Sequence, residues 1–164
     1  NYCSLYYDVE KYFGSKGSFF NFNPKYGIYS FNPPYQSDII TKGIKRLFNF
    51  LDENTSNYGD DKRLSFIITI PIWDNIGKKI MKYKYPQKKI IEEIDYGDFD
   101  IIGELDKSKY FKLKIMISKN NFTYLDHNFH LYKNSTIQNT YIYVLSNDNS
   151  KDFSKLNDYN FKDY

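Results

Sequence analysis

The apolar and polar positions of the chain change their period twice between residues 27 and 73. Residues 27–31, Gly-Ile-Tyr-Ser-Phe, are a short β-prone run that stops at Asn32-Pro33-Pro34. A residue before proline is pushed into extended conformations and proline interrupts a ladder, so we predict that a strand ends here. Residues 64–73 are nearly continuously apolar, which is typical of a strand buried on both faces of a parallel sheet.

Between these two strands the apolar positions follow a helical period. They are Ile40, Ile44, Leu47, Phe48 and Leu51, and their spacing predicts an amphipathic helix. We expect Ser37 to cap its start and expect its end near Asn54, where residues 54–59 have the composition of a loop. Strand, helix and strand in succession form a βαβ core, whose crossover we expect to be right-handed.

The second half of the chain has weaker patterns. Residues 74–109 alternate lysine-rich and acidic pieces around Pro86 and Gly97, which indicates a helix or an inserted flap. Residues 111–117 alternate as a half-exposed strand should, and residues 139–145 form a further strand. We therefore predict an α/β fold in which a late antiparallel hairpin lies at the sheet edge. Residues 151–164 are a polar C-terminal tail, docked or frayed.

Composition adds little to this picture. The chain has 164 residues, enough for one domain. It has no alanine and much Ile, Asn, Lys and Tyr, which share AT-rich codons and would suit a large DNA virus or a low-GC protist. The net charge of +3 and the 20% aromatic content could serve nucleic-acid binding. Because acidic residues are interleaved, we favour an ordinary solvated surface with codon-driven tyrosines.

Several classes of protein are disfavoured. One cysteine, Cys3, excludes an internal disulfide framework. His127 and His130 lie three residues apart beside Asp126, but no third ligand cluster accompanies them, so we predict no metal site. No apolar run approaches the ~20 residues of a membrane span, and no signal peptide is visible, which favours an intracellular protein of the nucleus or cytoplasm. Asn1 is not an initiator methionine, so we expect a cut start.

Asn32-Pro33-Pro34-Tyr35 is the candidate catalytic motif. Four residues are weak evidence, and a bare turn would explain them. Their predicted place, after a strand and before a helix, is where doubly wound sheets bind ligands. The Asn32 side-chain oxygen and the Pro33 carbonyl could accept the two hydrogens of an exocyclic adenine amine, held by a loop that the prolines stiffen. Tyr35 offers a flat face for the base.

The motif occurs with others in one order, and together they resemble the phosphorylated CTD-interacting factor family of cap-specific adenosine-N6 methyltransferases. The resemblance covers residues 1–73 well and residues 110–150 loosely. It rests on these pieces of sequence: Tyr2-Cys3-Ser4, Asp8, Tyr12-Phe13-Gly14-Ser15, Gly17, the strand from Gly27, Asn32-Pro33-Pro34-Tyr35, Ile70-Pro71-Ile72-Trp73, Asn139-Thr140 and Asn147-Asp148.

The resemblance implies a Rossmann-like methyltransferase sheet, S-adenosyl-L-methionine as donor and capped RNA as substrate, methylated on the cap-adjacent 2'-O-methyladenosine. Residues 1–150 would be the catalytic domain without its first cofactor-binding strand, which a partner subunit or an upstream segment would supply. The motif at residues 32–35 matches the catalytic motif. Asp8, Phe13, Gly14 and Ser15 match a stretch near the cofactor, although Asp8 could equally cap a helix and the glycine could shape a loop.

Trp73 is a candidate substrate contact, although we favour a core residue at the sheet edge. Three hypotheses of function follow. The first is methylation of the cap-adjacent adenosine, and the second is adenine-N6 methylation of DNA or internal RNA. The third is a non-catalytic remnant that binds RNA or a partner, because half a cofactor site could not hold the donor in line.

Overall fold

The structure is a computed structural model that describes most of the chain. The described residues are 1–4, 6–59, 61–72, 79–84, 89–95, 100–118, 123–125, 131–133, 139–149 and 153, with the backbone alone for 79–84, 89–95, 123–125 and 131–133. The helices are α1 (Tyr7–Glu10), α2 (Ser37–Tyr58) and α3 (Ile101–Lys107). The strands are β1 (Gly27–Phe31), β2 (Leu64–Pro71), β3 (Lys79–Lys84), β4 (Lys89–Asp95), β5 (Phe111–Ile117), β6 (Thr123–Leu125), β7 (Leu131–Lys133) and β8 (Thr140–Ser146).

Four of these strands form a mixed sheet in the order β1-β2-β8-β5. β1 and β2 are parallel, with Gly27 opposite Leu64 and Phe31 opposite Ile68. β8 is antiparallel to both of its neighbours, so β1, β2 and β5 all point the same way. The predicted α/β class and the βαβ core formed by β1, α2 and β2 are therefore confirmed.

The predicted edge hairpin is partly wrong. β5 and β8 do pair antiparallel, but β8 lies inside the sheet and β5 forms the edge. The two strands are not consecutive either, because β6 and β7 pair with each other between them. The central place suits β8, since Tyr143, Val144 and Leu145 are buried although successive side chains face opposite sides of the sheet.

The hydrophobic core lies between one face of the sheet and the helices α2 and α3. The helix contributes Ile40, Ile44, Leu47 and Leu51, all at 0% exposure, which are four of the five apolar positions that the helical spacing identified. Full burial of one such side chain stabilises the fold by about 1.5–3 kcal/mol. The same cluster contains Phe66, Ile68, Ile70, Ile101, Leu105, Tyr143 and Leu145.

Both predicted ends of α2 are corrected. Gln36 is the N-cap and makes no side-chain capping bond, so Ser37 is the first helical residue. At the other end the helix continues through the predicted loop to Tyr58. It does so because the side chains of Asn54 and Thr55 both find partners: Asn54 accepts a hydrogen bond from Asn147, after β8, over 2.6 Å, and the Thr55 hydroxyl donates to the Leu51 carbonyl of the helix itself over 2.8 Å.

The segment 74–109 contains both a helix and strands. β3 and β4 form a two-stranded antiparallel pair, and α3 packs its Ile101 and Leu105 into the core. Of the tail 151–164, only Phe153 lies within the described residues. None of the helices in the described part of the chain combines the length and apolar character needed to cross a membrane.

Candidate active site

The Asn32–Tyr35 loop leaves the sheet where β1 ends beside β2. Because β1 and β2 are parallel, their carboxyl ends point to the same end of the sheet. The loop begins directly after the Phe31–Ile68 pair. The Gln36 N–H donates to the Pro34 carbonyl over 2.7 Å, which closes a tight three-residue turn. The first bond of α2 follows, from the Ile40 N–H to the Gln36 carbonyl over 3.0 Å. The predicted strand–motif–helix order is the order observed.

The loop carries two polar acceptors, which are the Asn32 side-chain oxygen and the Pro33 carbonyl oxygen. Asn32 is exposed and Pro33 is buried. Within the described residues the Asn32 side chain has no hydrogen-bond partner, and the Pro33 carbonyl makes no backbone hydrogen bond. The Pro34 carbonyl is already engaged by Gln36, so Pro33 is the proline whose oxygen can accept. Tyr35 is 46% exposed, which leaves part of its ring accessible to a flat ligand.

An aromatic cluster behind the loop connects it to the N-terminal segment. Phe31 is 7% exposed, and its ring lies 5.2 Å, between centroids, from that of Phe19. Phe19 in turn lies 6.1 Å from Phe50 of α2. Sequence patterns did not identify Phe19 or Phe31 as supports of the motif, although an aromatic residue directly before Asn32 is a signal that could have done so.

The candidate cofactor stretch forms a loop that is closed by hydrogen bonds between residues 15–17 and residues 2–4. The Lys16 N–H donates to the Tyr2 carbonyl and the Ser4 N–H donates to the Gly17 carbonyl, each over 2.8 Å. The Ser15 hydroxyl lies 2.6 Å from that of Ser4 and accepts from the Gly17 N–H over 3.1 Å. Ser15, which is 5% exposed, therefore shapes this loop with a hydroxyl that is already bonded.

The other members of that stretch face solvent. Asp8 lies in the first turn of α1 but is not its N-cap, which is Tyr6, and its side chain is exposed. Phe13 is 77% exposed, and Gly14 has φ of 96°, a left-handed conformation that favours glycine. The Asp8 carboxylate and the Phe13 ring are thus accessible to a ligand, whereas Gly14 allows the backbone to turn.

Other candidate groups contribute less. Trp73, Asp126, His127 and His130 lie outside the described residues. Within the described part of the chain, no three His, Cys, Asp or Glu side chains are grouped to hold a metal ion. Burial raises the pKa of the Cys3 thiol, which disfavours the thiolate that a nucleophilic cysteine needs.

Comparison with known proteins identifies a family, and two mammalian proteins are among the similar relatives. A family model described as the phosphorylated CTD interacting factor 1 WW domain matches residues 1–127, which include the whole β1–α2–β2 unit and its loop. The chain is 32% identical over 72 residues to a protein of Mus musculus named mRNA (2'-O-methyladenosine-N(6)-)-methyltransferase. It is equally 32% identical over 72 residues to the Homo sapiens protein of that name. The match covers 44% of this chain and 9% of each relative.

Proposed function

Because the chain belongs to the phosphorylated CTD interacting factor 1 family, we propose that it contributes the amine-binding part of an mRNA adenosine-N6 methyltransferase. The proposed substrate is the cap-adjacent 2'-O-methyladenosine; the names of the two relatives specify mRNA 2'-O-methyladenosine for those proteins. The observation that carries the proposal is the pair of acceptors on the Asn32–Tyr35 loop, at the carboxyl ends of two parallel strands, where open α/β sheets bind ligands. Such a substrate implies an intracellular protein.

The loop fits the requirements of an exocyclic amine. The adenine amine is a poor nucleophile because its lone pair is conjugated with the ring. The Asn32 Oδ1 and the Pro33 carbonyl oxygen accept its two hydrogens and thereby favour the tetrahedral nitrogen, whose lone pair is free to attack. Two prolines and the Gln36–Pro34 hydrogen bond restrict the loop backbone that carries these acceptors before the base arrives, which supplies part of the preorganisation that electrostatic catalysis needs.

Tyr35 supplies the remaining contact with the base. Its half-exposed ring offers a stacking face to an adenine that has left its neighbours. The donor, S-adenosyl-L-methionine, supplies an electrophilic methyl group on a sulfonium. With the donor bound, the carbon–sulfur bond would break as the nitrogen–carbon bond forms, and the proton of the nitrogen would leave to water while Asn32 and Pro33 orient the amine. In-line positioning matters more for such a transfer than a strong base does.

The N-terminal loop fits the donor in part. The exposed Asp8 carboxylate could accept hydrogen bonds from ribose hydroxyls, and the Phe13 ring could cover a flat purine. Ser15 would contribute by holding the loop through Ser4 and Gly17. Asp8 and Phe13 are therefore the residues of this chain that would touch the donor.

The partial Rossmann-like sheet forms part of the same proposal. β1 is the outer strand of the described sheet, and Ile28 on it is 61% exposed. A further parallel strand at this edge, from an upstream segment or a partner, would complete a cofactor crevice beside the Asn32 loop. Residues 1–150 would then belong to one catalytic domain, with 151–164 as its tail.

Radiolabelled methyl transfer by the full-length protein tests the function. We expect transfer to RNA with a capped 2'-O-methyladenosine start and little transfer to uncapped RNA or duplex DNA. Asn32→Ala should reduce the rate by about 10²-fold or more, as loss of one preorganised polar group does, while Asn49→Ala, an exposed asparagine of α2, should not. Equal transfer to DNA would favour a general adenine-N6 methylase, and undetectable donor binding by calorimetry would favour a non-catalytic RNA-binding protein.

A further inference from the structure

Gly43 of α2 lies against the tip of the Phe31 ring, formed by its Cζ and Cε atoms. A Cβ added at Gly43 would approach the Phe31 Cζ more closely than real Cβ atoms ever do, and would lie 3.0 Å from Cε2 and 3.3 Å from Cε1. Gly43 is buried in the interior of a 22-residue helix, where glycine is less favourable than alanine. Because Gly43 has no side chain, the Phe31 ring can approach the backbone of α2 at this position.

The Phe31 ring has little room to move away from a larger residue. It is 7% exposed, and Phe19 packs against it with the ring centroids 5.2 Å apart. Phe31 is also the last residue of β1, paired in register with Ile68 of β2, so the backbone at this strand end is the part that gives way when the ring cannot. A contact from position 43 would consequently shift the backbone at the end of β1.

Asn32 is the residue that such a shift would reach first. It follows Phe31 directly, and the turn closed by Pro34 and Gln36 passes any displacement on to the whole loop. A displacement of the acceptors by about 1 Å is enough to reduce a positioned reaction by about 10²-fold. The close approach of Phe31 to α2 thus determines where the two acceptors lie.

We propose that Gly43 is a positioning residue of the candidate active site, which sets the place of the Asn32 and Pro33 acceptors through Phe31. The kinetic part of this proposal rests on the proposed methyltransferase function, whereas the structural part does not. Gly43 is buried inside α2, and we assign it no contact with the substrate. The residue acts by being small at the point where an aromatic ring lies against the helix.

The test combines Gly43→Ala with Phe31→Leu in the full-length protein. Leucine lacks the Cζ and both Cε atoms that the added Cβ would meet, so the double variant should relieve the contact. We expect Gly43→Ala to reduce kcat by about tenfold or more with a smaller change in KM. In the Phe31→Leu background the same alanine should change kcat by less than about twofold, and Asn49→Ala serves as the helix control.

A second measurement follows the loop without any need for activity. The side-chain amide signal of Asn32 in a proton–nitrogen correlation spectrum should move in Gly43→Ala and return in the double variant to its position in Phe31→Leu. An unchanged Asn32 signal in folded Gly43→Ala would overturn the proposal, as would an equal shift in both backgrounds. If Gly43→Ala does not fold alone, a folded double variant supports the steric contact and an unfolded one refutes it. An inactive wild type would overturn the proposed function but would leave this spectral test intact.

Discussion

The side-chain amide of Asn147 donates a hydrogen bond to that of Asn54 over 2.6 Å and joins the residue after β8 to the last turns of α2. Asn147 also accepts a hydrogen bond from the Leu64 N–H over 2.8 Å, and Asn54 donates to the Lys25 carbonyl. One pair of amides thus connects β8, α2, β2 and the segment before β1. This connection lies at the end of the sheet where β1 and β2 begin, opposite to the end that carries the Asn32 loop.

Replacement of Asn147 by alanine should destabilise the fold. It leaves the buried Leu64 N–H and the Asn54 oxygen without their partner, so we expect the free energy of unfolding to fall by about 3 kcal/mol. Urea unfolding with an unchanged slope would measure this loss. Asn149→Ala, which removes an exposed bond to Lys112, should stay within about 0.5 kcal/mol. A similar small effect for Asn147→Ala would show that water replaces the pair.

Tyr35 should act through its ring. Tyr35→Ala removes a stacking face worth about 1–3 kcal/mol, which we expect to appear as a roughly 5- to 150-fold rise in KM for RNA. Tyr35→Phe retains that face and should be nearly silent. Steady-state kinetics of both variants with capped RNA checks the prediction. A large loss for phenylalanine would assign the role to the hydroxyl group.

The contributions of Ser15 and Ser4 to the free energy of unfolding should be coupled. Each alanine variant removes the 2.6 Å contact between the hydroxyls, so we expect each to lower the free energy of unfolding by about 1 kcal/mol. The double variant should cost less than the sum, because the shared bond can be lost only once. Thermal unfolding of the three variants gives the coupling. Additive effects, together with weaker donor binding by Ser15→Ala alone, would instead indicate a direct contact between Ser15 and the donor.

Lys109 should control the ionisation of Asp52. Hydrogen bonds from the Lys109 ammonium, 2.8 Å away, and from the Tyr110 hydroxyl hold the pKa of the Asp52 carboxyl below its ordinary value of 3.8. A pKa lowered by folding stabilises the protein above that value, and the contribution is lost as the pH falls through the lowered pKa. Lys109→Ala should raise the pKa towards 3.8, as followed by carboxyl NMR titration. Lys107→Ala, at an exposed lysine of α3, should leave it unchanged.

Much of the scaffold follows from short-range patterns. The nearly continuous apolar run of β2 and the spacing of Ile40, Ile44, Leu47 and Leu51 reflect burial, which sequence records directly. The expectation that β2 is buried on both faces is only partly met, because Ile67 is 39% exposed. The end of α2 could not be predicted in this way. Asn54 is typical of a loop in sequence, and its partner Asn147 is 93 residues away. The inner position of β8 is missed for the same reason, since strand order depends on contacts between distant segments.

The candidate site shows the same division. The place of Asn32 after a strand and before a helix could be predicted, because proline restricts its neighbours locally. Its supports could not be predicted: Phe19 and Gly43 contact Phe31 only in the folded chain. Ser15 was grouped with the cofactor residues through resemblance, whereas its observed partners are Ser4 and Gly17.

The insertion of β8 between β2 and β5 has a consequence for the way the chain is made. Ser65 and Ser146 share a buried hydrogen bond of 2.7 Å across 81 residues, so the centre of the sheet closes only after a long loop has been ordered. A growing polypeptide can assemble β1, α2 and β2 early, but the inner edge of β2 then stays unpaired until the ribosome has delivered residue 146. During that interval an apolar strand edge is available to other chains, so we expect the yield of folded protein to fall when that edge meets other exposed strands.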